Sequence, residues 1–350
     1  MSALRPAVRL LKYGGIRAGL NAIALSRAAS LFPAAAGRGL IFTLHHVLPQ
    51  KETGKFTPNA ILSVTPEFLE TAIVTARQAG LTPVHLHDLP ALLADPSDKR
   101  KFIAFTLDDG YRDNAEFAAP VFRRHGVPHT IFITAGFVER SRSLWWETAE
   151  ALTRKASSFR FNFGGGPETV DAGTTARKYA AFERLASFIQ ATDEDDAVRR
   201  VESAALSNGI DPVEIIDDLV MDAAELRHLA EDDPLVHFGA HTLTHVNLRR
   251  VDDARLQSEI EGSADAVEKY VGCRPRSFSY PYGWSSAVGE REAAAAADAG
   301  FAAAVTTQPG VLGPAGIARP TMLPRISLNG LYQKKRYLEA LISGLPFRFI

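Results

Sequence analysis

"KFIAFTLDDGYRDN", Lys101 to Asn114, begins as an apolar run of strand length and stops abruptly at two adjacent carboxylates, Asp108 and Asp109, followed by a glycine. Neighbouring anions repel, so away from solvent a cation, a metal or proton-transfer work must keep them ionised. Asp-Asp-Gly is also ordinary turn chemistry, because Asp bonds its own backbone and Gly accepts positive φ. What stands at the ends of the other apolar runs decides between the two readings.

Those runs recur along the chain as "GLIFTLHHV", "LTPVHL", "PHTIFITAG", "LVHFGAHT", "RSFSYPYG", "FAAAVTTQPG" and "TMLPRISLNG". Helical patterns separate most of them, over Pro66–Ala79, Asn114–His125, Asp252–Val271 and Ser286–Ala299. Strand alternating with helix implies parallel strands joined by crossovers. No Gly-rich nucleotide loop follows a strand, which argues against an open doubly wound sheet. The expected fold is therefore α/β, a distorted (β/α) barrel of seven or eight units over residues 39–335. Between about 145 and 226 the rhythm breaks into charged helical sequence with one hairpin-like "FRFNFGGG", read as an insertion on the barrel rim.

Composition narrows the chemistry. The 350 residues are 46% hydrophobic and carry a net charge of −1, which gives no reason to expect nucleic acid. Cys273 is the only cysteine, so an intrachain disulfide and a Cys-based zinc site are excluded, and any metal must be held by His, Asp or Glu. The first 38 residues read as a basic amphipathic helical extension, with Arg5, Arg9, Lys12, Arg17, Arg27 and Arg38 and no acid before Glu52. Closing one end of the barrel is its expected role, with peripheral contact to an anionic membrane as the alternative. Arg27 interrupts the apolar run that a signal peptide needs, and a cytoplasmic location is expected.

In parallel β/α folds, functional groups collect at the carboxyl ends of strands. There the runs present Asp108 and Asp109, His241 and His245 in "HTLTH", Tyr280 to Gly283 in "YPYG", His45 and His46, and Arg325. Two histidines four apart can share one cation on a tight helical turn. With one aspartate they form a two-His, one-carboxylate set suited to Zn²⁺, Co²⁺, Ni²⁺ or Fe²⁺, leaving the other aspartate to act as a base.

"FTLDDGYRDN" resembles the T-F-D-D-G motif of the polysaccharide deacetylases, carbohydrate esterase family four, which includes chitooligosaccharide deacetylases. "HTLTH" resembles the family's H-[ST]-x-x-H, "SYPYG" its R-x-P-[FY] and "DAGFAAA" its D-x-G. The resemblance implies divalent-metal hydrolysis of acetyl groups on sugars, with zinc the expected metal and Co or Ni alternatives. By position, Asp108 resembles the catalytic base, Asp109, His241 and His245 the metal ligands, and the Tyr282 backbone N–H an oxyanion donor.

Two positions depart from the pattern: Ser279 stands where the family has an arginine that orients the base, and Ile326 where it has the acid histidine. Arg325 is the candidate replacement for the first, and His45 or His46 for the second. The expected substrate is an N-acetylated amino sugar within an oligo- or polysaccharide. Two alternatives stand beside it: an amide or cyclic-imide hydrolase with a small substrate and a pocket closed by the insertion, or an inactive carbohydrate-binding barrel. Trp284 is a candidate sugar-stacking face, Tyr111 and Arg112 candidate substrate contacts, and Asn114 a helix cap.

Overall fold

Eight strands, all parallel to their neighbours, carry the chain: β1 (Gly39–Leu44), β2 (Leu81–Pro83), β3 (Lys101–Leu107), β4 (His129–Ile133), β5 (Val236–Ala240), β6 (Ser277–Ser279), β7 (Ala303–Val305) and β8 (Ile326–Ser327). They are seen in a computed structural model that describes residues 4–26, 31–50, 54–313 and 318–348. The sheet runs β7-β6-β5-β4-β3-β1-β8, and β2 pairs with the first residues of β3. Leu323 bridges to Val305 on β7, and Ile326 pairs with Phe42 on β1. One short segment thus links the two far strands and curls the sheet into a distorted barrel.

Alternation along the strands sorts the side chains. Leu40, Phe42, Ile103, Phe105 and Leu107 face the surrounding helices, while Ile41, Phe102, Ala104 and Phe132 fill the interior with Val305 and Leu323. The inward series on β3 continues beyond its end to Asp108, so the pleat that builds the core also aims this carboxylate into the barrel.

Helices start where their caps dictate. Thr65 Oγ1 accepts from Phe68 N–H ahead of Pro66–Gln78, and Asp252 accepts from Arg255 N–H ahead of Asp253–Val271, which ends on left-handed Gly272. Two sequence expectations need correction. The helix expected from Ser286 begins at Glu290, because Gly289 N–H donates to Glu292 and the turn before it stays irregular. "TML" is not a strand: Pro320–Met322 is a 3₁₀ turn, and Arg325 precedes the last strand rather than ending it. Pro320 and Pro324 lack the N–H that a ladder needs.

The helical region comprises Trp145–Lys155, Thr175–Ala191, Glu194–Leu206, Pro212–Leu219 and Ala223–Asp232, with a hairpin pairing Ser158–Asn162 to Pro167–Asp171. Its core, which includes Phe159, Leu185 and Val198, runs on into Tyr111 and Phe137 of the barrel. Arg112 fastens the junction through Glu225 and the carbonyls of Asp217, Asp218 and Val220. At the other end, the helix Leu4–Ser26 lies on the helix Lys335–Ile342, with Leu20 buried among Tyr332, Tyr337 and Ala340. Among the described residues, no helix is long and apolar enough to cross a membrane.

Candidate active site

Backbone strain marks the site before any side chain does. Of the five non-glycine residues with positive φ, four are Asp109 (76°), Thr242 (65°), His245 (55°) and Tyr282 (63°). Such conformations persist where the surroundings over-determine them. Gly283, with φ 65°, follows Tyr282, and a Cβ there would meet Thr307 N at 2.5 Å, so only glycine lets the two loops approach.

At the end of β5 the chain turns so sharply that the histidine pair sits on an irregular loop instead of a helix. Thr242 Oγ1 accepts from His245 N–H at 2.8 Å, and the Glu259 carboxylate accepts from the N–H groups of Leu243 and Thr244. The two imidazoles meet edge to face at 5.0 Å, and their Nε2 atoms stand 3.6 Å and 3.5 Å from Asp109 Oδ1. His241 Nδ1 lies 2.6 Å from the Ser279 carbonyl. As donor there, it leaves the Nε2 lone pair facing Asp109.

All three groups are buried, and Asp109 Oδ1 has no hydrogen-bond partner among the described residues. Burial, with Asp108 beside it, pushes Asp109 well above the usual carboxylate range; burial pushes both histidines below theirs. An orphaned buried oxygen facing two neutral imidazole nitrogens fits a divalent cation.

Asp108 has the opposite surroundings. Arg325, itself buried, grips it bidentately, with Nη1–Oδ1 and Nη2–Oδ2 both 2.7 Å. Arg325 Nη2 also donates to Ser279 Oγ at 3.0 Å and Nη1 to Thr106 Oγ1 at 3.1 Å. Burial pushes Asp108 up, but the Arg325 guanidinium and then His241 outweigh it and hold the carboxyl well below its usual range. Ser279, too short to reach the aspartate as an arginine would, instead helps to place the arginine that does.

His45 and His46 diverge. His45 lies on the inward side with Asp108, Arg325 and His241 acting on its charge, and burial lowers it to about 4 despite Asp108. His46 packs against the Tyr111 ring at 3.6 Å, with Nδ1 2.5 Å from Asp113 Oδ2 and Nε2 3.8 Å from Glu147 Oε1. Burial works against its charge, but the hydrogen bond to Asp113 and the neighbouring Glu147 prevail and push it up to about 10. Their surroundings therefore favour the charged form of His46 and the neutral form of His45 at neutral pH.

A groove of about 1060 Å³ reaches down to His46 and Glu147 and continues past Glu150, Arg154, Glu67 and Lys335. Glu147 Oε1 is buried at its inner end with His46 beside it and no hydrogen-bond partner among the described residues. The same insertion helix also packs against the histidine pair, with Trp146 5.0 Å from His245: Trp145 Nε1 donates to Tyr282 Oη, Trp146 Nε1 to Tyr111 Oη, and Tyr282 Oη to Glu194 at 2.5 Å. The Tyr282 N–H makes no hydrogen bond among the described residues.

Other candidates fall elsewhere. Tyr111 is fully buried and Arg112 is spent on the insertion, so neither faces a groove. Asn114 caps nothing; its Nδ2 donates to the His45 carbonyl at 2.8 Å and so holds the two-histidine segment. Trp284 keeps an exposed ring beside Tyr282. Asp113, Glu147 and Glu194 escaped the sequence reading. Only Asp113 had a signal, as the third acid of "DDGYRD".

The polysaccharide deacetylase family model matches residues 95–170 and 199–304, together just over half of the chain. Among solved structures, the chain is similar to the Streptococcus pyogenes deacetylase PplD in complex with acetate, at 15% identity and TM-score 0.53, covering 83% of this chain and 92% of that one. It is similar to BC0361, a polysaccharide deacetylase from Bacillus cereus, at 13% identity and TM-score 0.52, covering 86% and 68%. A de-N-acetylase from Aggregatibacter actinomycetemcomitans aligns at 12% identity and TM-score 0.50, covering 83% and 95%. No curated protein matches. At these identities the solved structures speak for the fold.

Proposed function

The chain belongs to the polysaccharide deacetylase family, a family of hydrolases, and from that premise we propose that it removes N-acetyl groups from an amino sugar within an oligo- or polysaccharide. The observation that carries this reading is the division of the adjacent aspartates. Asp109 faces His241 and His245 with an unsatisfied oxygen, while Asp108 is clamped by Arg325.

Asp109, His241 and His245 would hold a divalent cation, with zinc first choice for a set of two imidazoles and one carboxylate. Once bound, such an ion polarises the acetyl carbonyl and acidifies the attacking water. Asp108 takes that water's proton. The Arg325 fork keeps this aspartate ionised, able to accept a proton, and fixes which way it points. As oxygen adds to the acetyl carbon, charge develops on the carbonyl oxygen, for which the free Tyr282 N–H is the candidate donor. The C–N bond then breaks, and the leaving amine needs a proton. His46 is the candidate acid, since its carboxylate neighbours favour its charged form, it lines the groove, and its Nδ1 is taken by Asp113, which leaves Nε2 on the side of Glu147 at the groove's inner end. Acetate and a free amino sugar are the products.

An open groove of this size suits several linked sugars better than one small amide, the alternative whose mark is a closed pocket. Acetate release from a panel of N-acetylglucosamine oligomers, with and without added Zn²⁺, Co²⁺ or Ni²⁺, tests the assignment. Release that needs metal and rises with oligomer length is expected. No release from any oligomer, with turnover of a small cyclic imide, would reverse it.

A further inference from the structure

The N-terminal fifty residues contain six Lys and Arg and no Asp or Glu, whereas the whole chain has a net charge of −1. The remainder therefore carries a net negative charge, and these fifty residues a net positive one. The same end carries the apolar exposure. Seven large hydrophobic side chains are exposed among the described residues, and four of them fall between positions 16 and 32: Ile16 at 39%, Leu25 at 79%, Leu31 at 75% and Phe32 at 52%.

The helix Leu4–Ser26 has already spent its buried side, through Leu20, against the helix Lys335–Ile342. The exposed cations Lys334 and Arg336 at the start of that partner add to the basic surface. A basic helix held through Leu20, with Ile16 and Leu25 exposed along it and Leu31 and Phe32 exposed in the segment that follows, has the two components that bind an anionic bilayer: charge attraction to headgroups and apolar insertion at the acyl boundary.

We propose that this face docks the enzyme on an anionic lipid surface. The exposed Leu and Phe favour a bilayer over an acidic polymer, because a polyanion offers no apolar layer to receive them. Docking is independent of the deacetylase chemistry. It rests on the packed helices Leu4–Ser26 and Lys335–Ile342, which supply none of Asp108, Asp109, His241 and His245.

The test is co-sedimentation of the full chain with sucrose-loaded vesicles of phosphatidylcholine, with and without phosphatidylserine. Binding is expected only with phosphatidylserine, falling about tenfold or more for Leu31→Glu/Phe32→Glu and for Arg9→Glu/Lys12→Glu. Circular dichroism confirms that each variant is folded, and the solvent-exposed Leu25→Glu gives a second apolar probe. Failure of the full chain to pellet with phosphatidylserine vesicles overturns the proposal. Binding that the charge reversals abolish but all the apolar substitutions spare also overturns it, in favour of an acidic polymer. If Leu31→Glu/Phe32→Glu converts a dimer to a monomer in sedimentation velocity and vesicle binding persists, the patch is a contact between copies and the docking assignment is wrong.

Discussion

Asp108 and Asp109 share a turn and nearly a position, yet their partners give them opposite chemistry. Removing the base should separate the two. Asp108→Asn keeps shape and is expected to retain metal while losing about 10²–10⁴ in turnover, since the amide cannot accept a proton. Metal affinity and acetate release measured on one preparation check it, and near-normal release would take Asp108 out of the mechanism. Arg325→Ala strands a buried carboxylate and should cost about 3–5 kcal/mol of stability, read by denaturant titration. The histidines separate likewise. His46→Ala is expected to lower kcat by about tenfold or more, and His45→Ala to do less. An acid must be protonated to act, so activity should persist on the alkaline side and fall as pH passes about 10. Asp113→Asn removes the hydrogen bond that raises His46 and should move that limb to lower pH. An unmoved limb would assign the acid role elsewhere.

Elements place these residues, and one of them does so from outside the barrel. The helix Glu194–Leu206 opens with Glu194, whose carboxylate accepts from Tyr282 Oη and from Asn247 N–H, two residues after His245. Glu194→Ala should leave both donors unpaired at about 1–3 kcal/mol each and lower kcat more than it raises KM, by loosening the Tyr282 loop. Glu194→Gln, which can still bond both, should recover most of the loss; equal damage from the two variants would mean that the charge itself matters. Such a contact was invisible in the sequence, where Glu194 is one of a run of acids in a charged helix. The strand ends were legible because each motif joins its polar or turn-forming residues over a short stretch: Asp108 with Asp109, His241 with His245, Tyr282 with Gly283. Arg325 was legible as a cation near a strand but not as one preceding it, because prolines broke the pattern. Glu147 had no local signature, since its meaning comes from a groove assembled by distant segments.

At the scale of the whole molecule, the site stores repulsion that a cation relieves. Asp109 is buried beside another carboxylate, so chelation should lower the unfolding temperature and Zn²⁺ restore it, by about 2.7 kcal/mol at a hundredfold excess over Kd. His241→Ala should remove most of that metal-dependent increment, which calorimetry reads directly. His46 adds a pH dependence of its own. Its folded value lies above the ordinary 6.5, so its contribution is complete below pH 6.5 and disappears as pH rises toward about 10. Stability should decline across that window in the wild type and stay flatter in His46→Gln. Equal slopes would mean that the imidazolium is not held by its two carboxylates.

The clamp on Asp108 joins residues 217 positions apart, and its second half arrives with the segment that links β7 to β1. During synthesis, the third strand leaves the ribosome long before Arg325 exists. Until then its carboxylate has no guanidinium to meet, and a barrel that closed early would have to bury it bare or protonated. The nascent chain therefore has reason to keep its mouth open and hydrated until Arg325 has been made. The residue that clamps Asp108 also acts as the last-made latch on the fold, so a polypeptide released before Arg325 would lack that clamp and the strand Ile326–Ser327 together.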